Sequence, residues 1–460
     1  MAEPSASPPP IKALVASLIG SSIEWYDFLL YGTVTPLVFA KRFFPSHDPS
    51  IGLMTAYASF AVPFFVRPLG GVVFSHIGDR VGRKVTLVLT LSLMGVATVL
   101  IGCLPDYAAI GIAAPILLTS LRVVQGLGIG GEWGGALLLA VENSGKHNRG
   151  LFGSVPQMGV TVGMLLGSLA LMAVRGASEE DFLSWGWRIP FLLSAILVFV
   201  GLWIRRGIDE TPAFREAKEK KQIARIPIVE TLRDHWRSVL VAVGLKVVET
   251  APFYIFSVFV VGYATNQLKL DKDVALRAVM IAAFVTTLAI PLMGRLADRV
   301  GRKPLYIGGT LAIAAFAFPY FMLLSLKTAL AVTVATTLGL AIFWAPITAV
   351  LGTLYSEIFS TRVRYTGVTL GYQLGAALAG GTAPLIATWL LKRFDNSWVP
   401  VATYIVVACS VSLVCILATR ETRGSELPMS ASGGSSSSSP GPFSASGEGV
   451  PPAGAGRQVP

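Results

Sequence analysis

Apolar stretches of about 20 residues recur along the chain, and they constrain its fold more than any other feature. A helix of that length spans the ~30 Å hydrocarbon core of a bilayer. We place twelve such stretches, at 13–40, 52–76, 85–104, 108–140, 150–174, 188–205, 238–264, 274–296, 304–325, 328–356, 365–391 and 400–419. A membrane β-barrel would instead show alternating segments of about ten residues. The sequence therefore predicts an all-α integral membrane protein with twelve transmembrane helices.

The composition agrees with a membrane protein and argues against a nucleic-acid partner. Hydrophobic residues make up 53% of the chain and charged residues only 14%, against about a quarter charged in ordinary globular proteins. The net charge of +11 falls mainly in alternate loops, which is the positive-inside pattern that sets membrane orientation. We therefore expect a multi-pass protein of the plasma (cytoplasmic) membrane with both termini in the cytoplasm.

The two halves of the membrane region repeat each other. "GDRVGRK" at 78–84 returns as "ADRVGRK" at 297–303, and "PQMG" at 156–159 matches "YQLG" at 372–375. Such repeats are typical of secondary transporters, which bind their solute where the halves meet. The sequence predicts a six-plus-six arrangement with these divisions: a disordered cytoplasmic N-terminus 1–12, a first half 13–206, a cytoplasmic linker 207–237, a second half 238–420 and a disordered tail 421–460.

Several motifs resemble those of one transporter family. "DRVGRK" in both halves resembles the cytoplasmic loop motif of the major facilitator superfamily. "IEWYDFLLYG", "FFVRPLGGVVFSHIGDRVGRK" and "RVVQGLGIGGEWGGA" resemble its metabolite:proton symporter family, which includes shikimate, α-ketoglutarate, citrate and proline/betaine permeases. The resemblance implies an alternating-access fold and proton-coupled uptake of a small solute that usually carries a carboxylate. Ser75 stands at the position where the family's loop motif usually begins with glycine. Because serine is also small, we expect the close helix packing at this position to be kept.

Two acids lie within the first predicted span. Glu24 and Asp27 are three residues apart and so share one face of a helix. A charge at this depth costs at least a few kcal/mol, so both should face the protein interior or a water-filled cavity. They are candidates for proton coupling or for binding a cationic part of the substrate, together with Glu132 in the fourth span. The alternative is a structural salt bridge to a basic residue on another helix.

Two arginines are candidate receptors for a substrate carboxylate. Arg67 lies deep in the second span and Arg122 within the fourth. A buried guanidinium can bind a carboxylate through two hydrogen bonds. Arg122 is the first candidate, and the alternative is internal pairing of either arginine with Glu24, Asp27 or Glu132.

Further candidates for the substrate cavity come from both halves. Lys246 and Glu249 in the seventh span either pair with each other or complete the cavity from the second half. Gln157 and Gln373 occupy matching positions in the repeat and are candidate hydrogen-bond donors to the substrate. Tyr31 either lines the cavity or packs in the interior.

A third set of charged residues is predicted on the cytoplasmic side. The resemblance implies a charge lock that stabilises the outward-open state and breaks on switching. An aspartate facing the start of a helix is favourable there. The predicted gating residues are Asp79, Arg80, Arg83, Glu142, Arg149, Asp298, Arg299, Arg302, Glu357 and Arg364. The alternative is that they act only as topology signals.

The sequence predicts a transporter without a metal or cofactor. Its four histidines and three cysteines are too dispersed to indicate a ligand set. We expect symport of a small organic acid or zwitterion, such as shikimate or a dicarboxylate, with protons, in a lipid bilayer and as a monomer. A proton-independent facilitator is the nearest rival, a proline/betaine-type carrier is less favoured, and a channel or a membrane enzyme is a rival from another class.

Overall fold

Helices account for nearly all of the described chain. The computed structural model describes residues 11–81, 83–130, 137, 140–141, 148–174, 178–206, 227–359 and 364–422. Twelve long helices lie within these ranges: α1 (Ile11–Val34), α2 (Pro49–Val81), α3 (Arg83–Cys103), α4 (Ala113–Ile129), α5 (Arg149–Val174), α6 (Arg188–Arg206), α7 (Trp236–Gln267), α8 (Lys272–Val300), α9 (Arg302–Leu324), α10 (Ala329–Ile358), α11 (Arg364–Ala379 with Thr382–Arg393) and α12 (Val399–Leu417). This arrangement confirms the predicted all-α membrane fold with twelve spans.

The outer surface of the bundle suits a lipid environment. Eight of the described helices are long and apolar enough to cross a membrane, and a pair bent by 44°, Glu179–Gly186 with Arg188–Trp203, makes a ninth. The apolar parts of α3 and α4 are shorter. Large apolar side chains such as Phe199, Trp203 and Val414 are more than two-thirds exposed. A contiguous apolar exterior of this kind is stable only against lipid.

Several helices change their winding within their spans. α1 continues through a π-helical turn at Thr35–Phe39, and α7 does so at Ile255–Phe259. α10 has a π-helical segment at Leu338–Trp344. π-helical turns change the direction in which the next side chains point, and they occur frequently at functional sites. The segment in α10 ends at Trp344, a residue of the cavity described below.

Helix packing repeats with a shift of six helices. In the first half α1 packs on α5, α2 on α4 and α3 on α6. In the second half α7 packs on α11, α8 on α10 and α9 on α12. The halves meet where α5 contacts α8 and α10, and where α2 contacts α11. The molecule is therefore a pseudo-repeat of two six-helix units.

Small residues allow the closest of these approaches. A Cβ atom added at Gly163 would lie 2.5 Å from the backbone nitrogen of Tyr26, so a larger residue would separate α5 from α1. In the second half, a Cβ atom at Gly375 of α11 would lie 2.8 Å from the carbonyl oxygen of Val243 on α7. Close helix contact through small residues is typical of membrane bundles.

The predicted domain boundaries stay predictions. A short helix, Pro227–Asp234, lies within the predicted linker 207–237. The predicted N-terminal and C-terminal segments, 1–12 and 421–460, lie largely outside the described residues.

Candidate functional site

A narrow cavity lies between the two halves, near the middle of the bundle. The first half contributes Trp25 from α1, Phe64 and Arg67 from α2, and Val160 from α5. The second half contributes mainly α7, with Lys246, Glu249, Thr250, Phe253 and Tyr254, joined by Trp344, Tyr372 and Ala376 from α10 and α11. Its lining combines aromatic rings with three charged side chains, which is the composition expected of a small-molecule site. Three of the predicted substrate residues, Arg67, Lys246 and Glu249, therefore meet in one place.

Lys246 and Glu249 form a buried ion pair inside this cavity. The Lys246 Nζ atom lies 2.5 Å from Oε2 of Glu249, and both side chains are almost fully buried. Thr250 and Thr348 place their hydroxyl oxygens 3.0 and 3.2 Å from the two oxygens of the Glu249 carboxylate. The Lys246 ammonium also lies 3.6 Å from the ring centre of Tyr372. A buried pair is stable only when its remaining hydrogen-bonding capacity is satisfied, and this pair meets that condition.

Arg67 is held by aromatic rings rather than by an acid. Its guanidinium carbon lies 4.4 Å from the ring centre of Phe28, 4.5 Å from that of Phe64 and 5.8 Å from that of Trp25. The side chain is 1% exposed. Among the residues described, no carboxylate forms an ion pair with it. Stacking of this kind orients a guanidinium while leaving its donors free for a planar anion.

Glu24 and Asp27 share α1 but face different neighbours. The Oδ1 atom of Asp27 accepts a hydrogen bond from the Ser194 hydroxyl on α6, inside the first half. Its Oδ2 atom has no hydrogen-bond partner in the described part of the chain, although Thr98 of α3 lies beside it. Glu24 lies close enough to Tyr254 and Tyr372 of the second half for its charge to act on both. Tertiary packing therefore separates two acids that helix periodicity places together.

Arg122 lies inside the first half and does not line the cavity. Its guanidinium donates to Oε1 of Gln125 at 2.7 Å and to the carbonyl oxygen of Phe60 at 3.2 Å. It also lies 4.0 Å from the ring centre of Tyr31. Gln125 then donates to the hydroxyl of Thr98 at 2.7 Å. A chain of polar groups thus runs from Arg122 through Gln125 and Thr98 to the neighbourhood of Asp27.

The remaining predicted substrate residues bridge the halves or pack internally. Gln157 on α5 donates to Thr348 on α10 at 3.3 Å, and Gln373 on α11 donates to the carbonyl of Gly130 at 3.3 Å. These two glutamines occupy matching positions of the repeat and lie at matching contacts between halves. The Tyr31 hydroxyl is hydrogen-bonded to that of Ser59 at 2.6 Å. None of the three belongs to the cavity lining.

Charged residues join the halves at the end of the bundle where α12 terminates, which we call the termini side. The Asp298 carboxylate accepts hydrogen bonds from the backbone N–H groups of Gly150 and Leu151 at 2.8 and 3.0 Å. Arg302 lies 3.1 Å from Asp298 and 3.7 Å from Glu357. Asp298 therefore lies at the N-terminus of α5, where a negative charge is favourable.

The other predicted gating residues divide into three groups. Arg149 lies 4.0 Å from Glu357 and joins the cluster. Arg364 donates to the carbonyl of Phe359, and Arg299 is exposed. The side chains of Asp79, Arg80 and Arg83, together with Glu132 and Glu142, lie outside the described residues.

The opposite end of the bundle, which we call the far side, is closed differently. Two ion pairs cross between the halves at that end, Lys272 with Glu179 and Lys392 with Asp48. Beside the cavity, aromatic rings of α1, α2 and α7 pack together, with Phe60 and Tyr254 at 5.6 Å between ring centres. The ion pair of Lys392 with Asp48 is well exposed, with 39% and 42% of its side chains accessible. Sequence analysis did not identify these ion pairs, because their members are distant along the chain and lie in ordinary polar loops.

Comparisons with known proteins identify the family to which the chain belongs. A sequence profile described as "Sugar (and other) transporter" matches residues 12–238, and one described as "Major Facilitator Superfamily" matches residues 245–445. The shikimate transporter of Escherichia coli (strain K12) is 39% identical over 90% of this chain and 95% of its own length. The proline/betaine transporter of Salmonella typhimurium is 34% identical over 89% of this chain and 83% of its own length.

Solved structures show the same fold. The proton:xylose symporter XylE, bound to 6-bromo-6-deoxy-D-glucose, superposes with a TM-score of 0.71 at 18% identity, covering 91% of this chain and 97% of its own. The chain belongs to the major facilitator superfamily, and within it to the metabolite:proton symporter family. It is a multi-pass membrane transporter of a small solute rather than an enzyme, as its sequence predicts.

Proposed function

We propose that this transporter is a proton-coupled symporter that takes up a small organic acid or zwitterion, such as shikimate or a dicarboxylate, by alternating access. The observation that carries the proposal is the cavity between the halves, where Arg67 lies without a carboxylate partner among the described residues. A buried guanidinium in such a place is a receptor for a planar anion. We further propose that the protein works as a monomer in the cytoplasmic membrane, with both termini in the cytoplasm.

Contacts at both ends of the cavity support alternating access. On the termini side, Asp298 of the second half holds the first turn of α5 from the first half. On the far side, two ion pairs join the same two halves, and an aromatic cluster joins them beside the cavity. Opening the cavity to one side needs only the contacts of that side to break. Rigid-body rocking of two repeats around a fixed central site is the usual mechanism of such transporters.

The environment of Asp27 supports a role in proton coupling. Its side chain is fully buried, and no basic side chain of the described chain forms an ion pair with it. A neutral carboxylic acid tolerates this environment far better than a carboxylate does, because a buried charge needs a partner. The polar chain from Arg122 through Gln125 and Thr98 supplies a cation that could approach once the proton leaves. Glu24, near the cavity wall, is the second candidate, and Glu132 stays a prediction.

The proposal is tested by uptake into proteoliposomes of labelled shikimate, α-ketoglutarate, citrate and glycine betaine. Each compound is measured with an inward proton gradient, without one, and with a protonophore. Gradient-dependent accumulation of an acid is expected, and a gradient of one pH unit can support about tenfold accumulation in one-to-one symport of a monoanion. Equal uptake in all three conditions would make the protein a facilitator instead.

A matched pair of variants assigns the coupling residue. Asp27→Asn removes the proton-binding group, while Asp395→Asn changes an exposed acid between α11 and α12. Asp395 has a positive φ of 51°, a conformation that asparagine also accepts, so the control should fold normally. Loss of coupling in the control as well as in Asp27→Asn would count against Asp27 as the proton carrier.

A further inference from the structure

The aromatic lining of the cavity suggests at first a site for a quaternary ammonium group. Six of its lining residues are aromatic: Trp25, Phe64, Phe253, Tyr254, Trp344 and Tyr372. Aromatic cages of this kind bind choline-like cations through the negative faces of the rings. The relatives of this chain include both a shikimate transporter and proline/betaine transporters, so family membership alone does not identify the ligand. The arrangement of the rings therefore decides which ligand chemistry this cavity favours.

The protein's own groups already cover most of these ring faces. Arg67 lies over Phe64 and Trp25, and Lys246 lies over Tyr372. Phe253 and Trp344 face each other with ring centres 4.7 Å apart and an interplanar angle of 30°. A ligand cation would therefore find few free faces and would lie beside the fixed positive charge of Arg67. Like charges in a site of low dielectric repel strongly, so this arrangement disfavours a quaternary ammonium ligand.

The lining carries one positive charge that is not paired within it. Of the three charged lining residues, Lys246 and Glu249 neutralise each other at 2.5 Å. Arg67 is left as the cation that meets a ligand. Glu24 acts on Tyr254 and Tyr372 but does not belong to the lining, so within the lining Arg67 is the charged group that attracts an anion.

A second ligand carboxylate has no comparable receptor. It would have to displace Glu249 from Lys246, where Thr348 and Thr250 also hold the Glu249 carboxylate. Removing one partner from a buried pair leaves an uncompensated charge. Neutral polar groups of a ligand face no such penalty, because the buried Tyr254 hydroxyl lacks a hydrogen-bond partner in the described chain. A hydroxyl-bearing ligand could supply one.

We propose that the cavity selects a monocarboxylate whose remaining polar groups are uncharged, that Arg67 binds its carboxylate, and that dicarboxylates and quaternary ammonium compounds are discriminated against. This inference rests on the proposed function, because it takes the cavity as the transport site. It narrows the substrate class to compounds with a single negative charge, which Arg67 binds.

Binding to the purified full-length protein in detergent, without any proton gradient, tests the inference. Thermal stabilisation is measured as a function of shikimate, α-ketoglutarate and glycine betaine concentration. Shikimate should stabilise at a concentration at least about tenfold lower than α-ketoglutarate, since one mismatched buried charge is worth more than a tenfold change in affinity. Glycine betaine should give no shift in the same range.

Two variants test the receptor. Arg67→Gln should weaken the shikimate response at least about tenfold, and Arg67→Lys, which keeps the charge without the planar fork, should weaken it less. Arg393→Gln, at the exposed end of α11, is the matched control and should respond like the native protein. If Arg67→Gln fails to fold, the inference is still tested by the concentrations at which the three ligands stabilise the native protein.

The overturning results are equally specific. Stabilisation by α-ketoglutarate or betaine at or below the shikimate concentration, stabilisation by none of the three, or an unchanged shikimate response in a folded Arg67→Gln would each refute the inference. If uptake is independent of a proton gradient but shikimate still stabilises at lower concentration than α-ketoglutarate and betaine, only proton coupling is refuted.

Discussion

The two halves share a fold but carry their buried charges differently. In the second half, the acid of α7 is paired: Glu249 lies 2.5 Å from Lys246 and accepts further hydrogen bonds. In the first half, Asp27 of α1 is hydrogen-bonded to Ser194, with no ion pair to a basic side chain in the described chain. Arg67 and Arg122 likewise have rings and neutral oxygens as their described neighbours rather than carboxylates.

This difference indicates how a duplicated bundle divides its work. A compensated pair orders the cavity wall, because breaking it is costly in both directions of transport. A buried ionisable group without an ion-pair partner is stabilised when it binds a proton or a substrate group of opposite charge. We therefore assign coupling and substrate binding to the first half and a scaffolding role to the charged pair of the second.

The largest effect is expected from breaking the compensated pair. Lys246→Met leaves the Glu249 carboxylate buried and unpaired, and it should lower the free energy of unfolding by about 3–5 kcal/mol. Glu249→Gln in the same protein removes the second charge and should restore most of that loss. Thermal unfolding of the purified single and double variants measures both. A single variant as stable as the native protein would show that the pair is not a scaffold.

The next largest effect concerns the uncompensated acid. Asp27→Asn should reduce gradient-driven accumulation to the level reached without a gradient, a loss of about tenfold at one pH unit, because an amide cannot release a proton. Exchange of internal for external substrate should persist, because Asp27 does not line the cavity. Labelled uptake and counterflow in one set of proteoliposomes measure both. Accumulation at the native level would remove Asp27 from the coupling mechanism.

A smaller effect is expected on the termini side. Asp298→Asn weakens the hold on the first turn of α5, where a charge at a helix N-terminus typically contributes about 0.3–1 kcal/mol. The equilibrium should shift toward opening of that side by up to about fivefold. The readout is the labelling rate of Ser154→Cys, introduced after Cys103, Cys409 and Cys415 have been replaced by serine, because the Ser154 side chain lies beside Gly294 at the closed interface. An unchanged labelling rate would contradict a gating role for Asp298.

The smallest effect is expected on the far side. The hydrogen bond from Lys392, with help from the Ser50 N–H, holds the pKa of Asp48 below its usual range. Because the pKa of Asp48 is lowered in the folded protein, the ion pair stabilises the closed far side fully at any pH above the ordinary aspartate pKa. That stabilisation is lost only when the pH falls through the lower pKa of the folded protein. Asp48→Asn should therefore change uptake less than about twofold, as for other exposed pairs, and equally at pH 7 and pH 5. A larger change, or one that differs between these pH values, would give this pair a greater role in gating.

Much of the fold could be predicted from the sequence because lipid demands uninterrupted helices. The predicted spans 85–104 and 304–325 correspond to Arg83–Cys103 and Arg302–Leu324. The predicted span 108–140 is less simple: a short helix Tyr107–Ile110 ends at Gly111, whose φ is 59°, before α4 begins. Hydropathy reports how apolar a stretch is, but it does not report where the hydrogen-bond register changes.

The candidate site was harder to predict, because the decisive contacts join distant helices. The spacing of Lys246 and Glu249 allowed their pairing, which the structure shows. The same spacing placed Glu24 and Asp27 on one face, yet Ser194 of α6 and Tyr372 of α11 give the two acids different surroundings. Arg122 and Arg67 look equivalent in sequence, and only packing places Arg67 alone in the cavity lining.

The most direct test of the account is the pH outside weakly buffered proteoliposomes when substrate is added without any imposed gradient. If a proton accompanies each substrate molecule inward, addition of the transported acid should make the outside more alkaline with the native protein. Asp27→Asn should give no such change while still exchanging labelled substrate. An equal pH change in Asp27→Asn, or none in an actively transporting native protein, would contradict the claim that the uncompensated acid of the first half carries the proton.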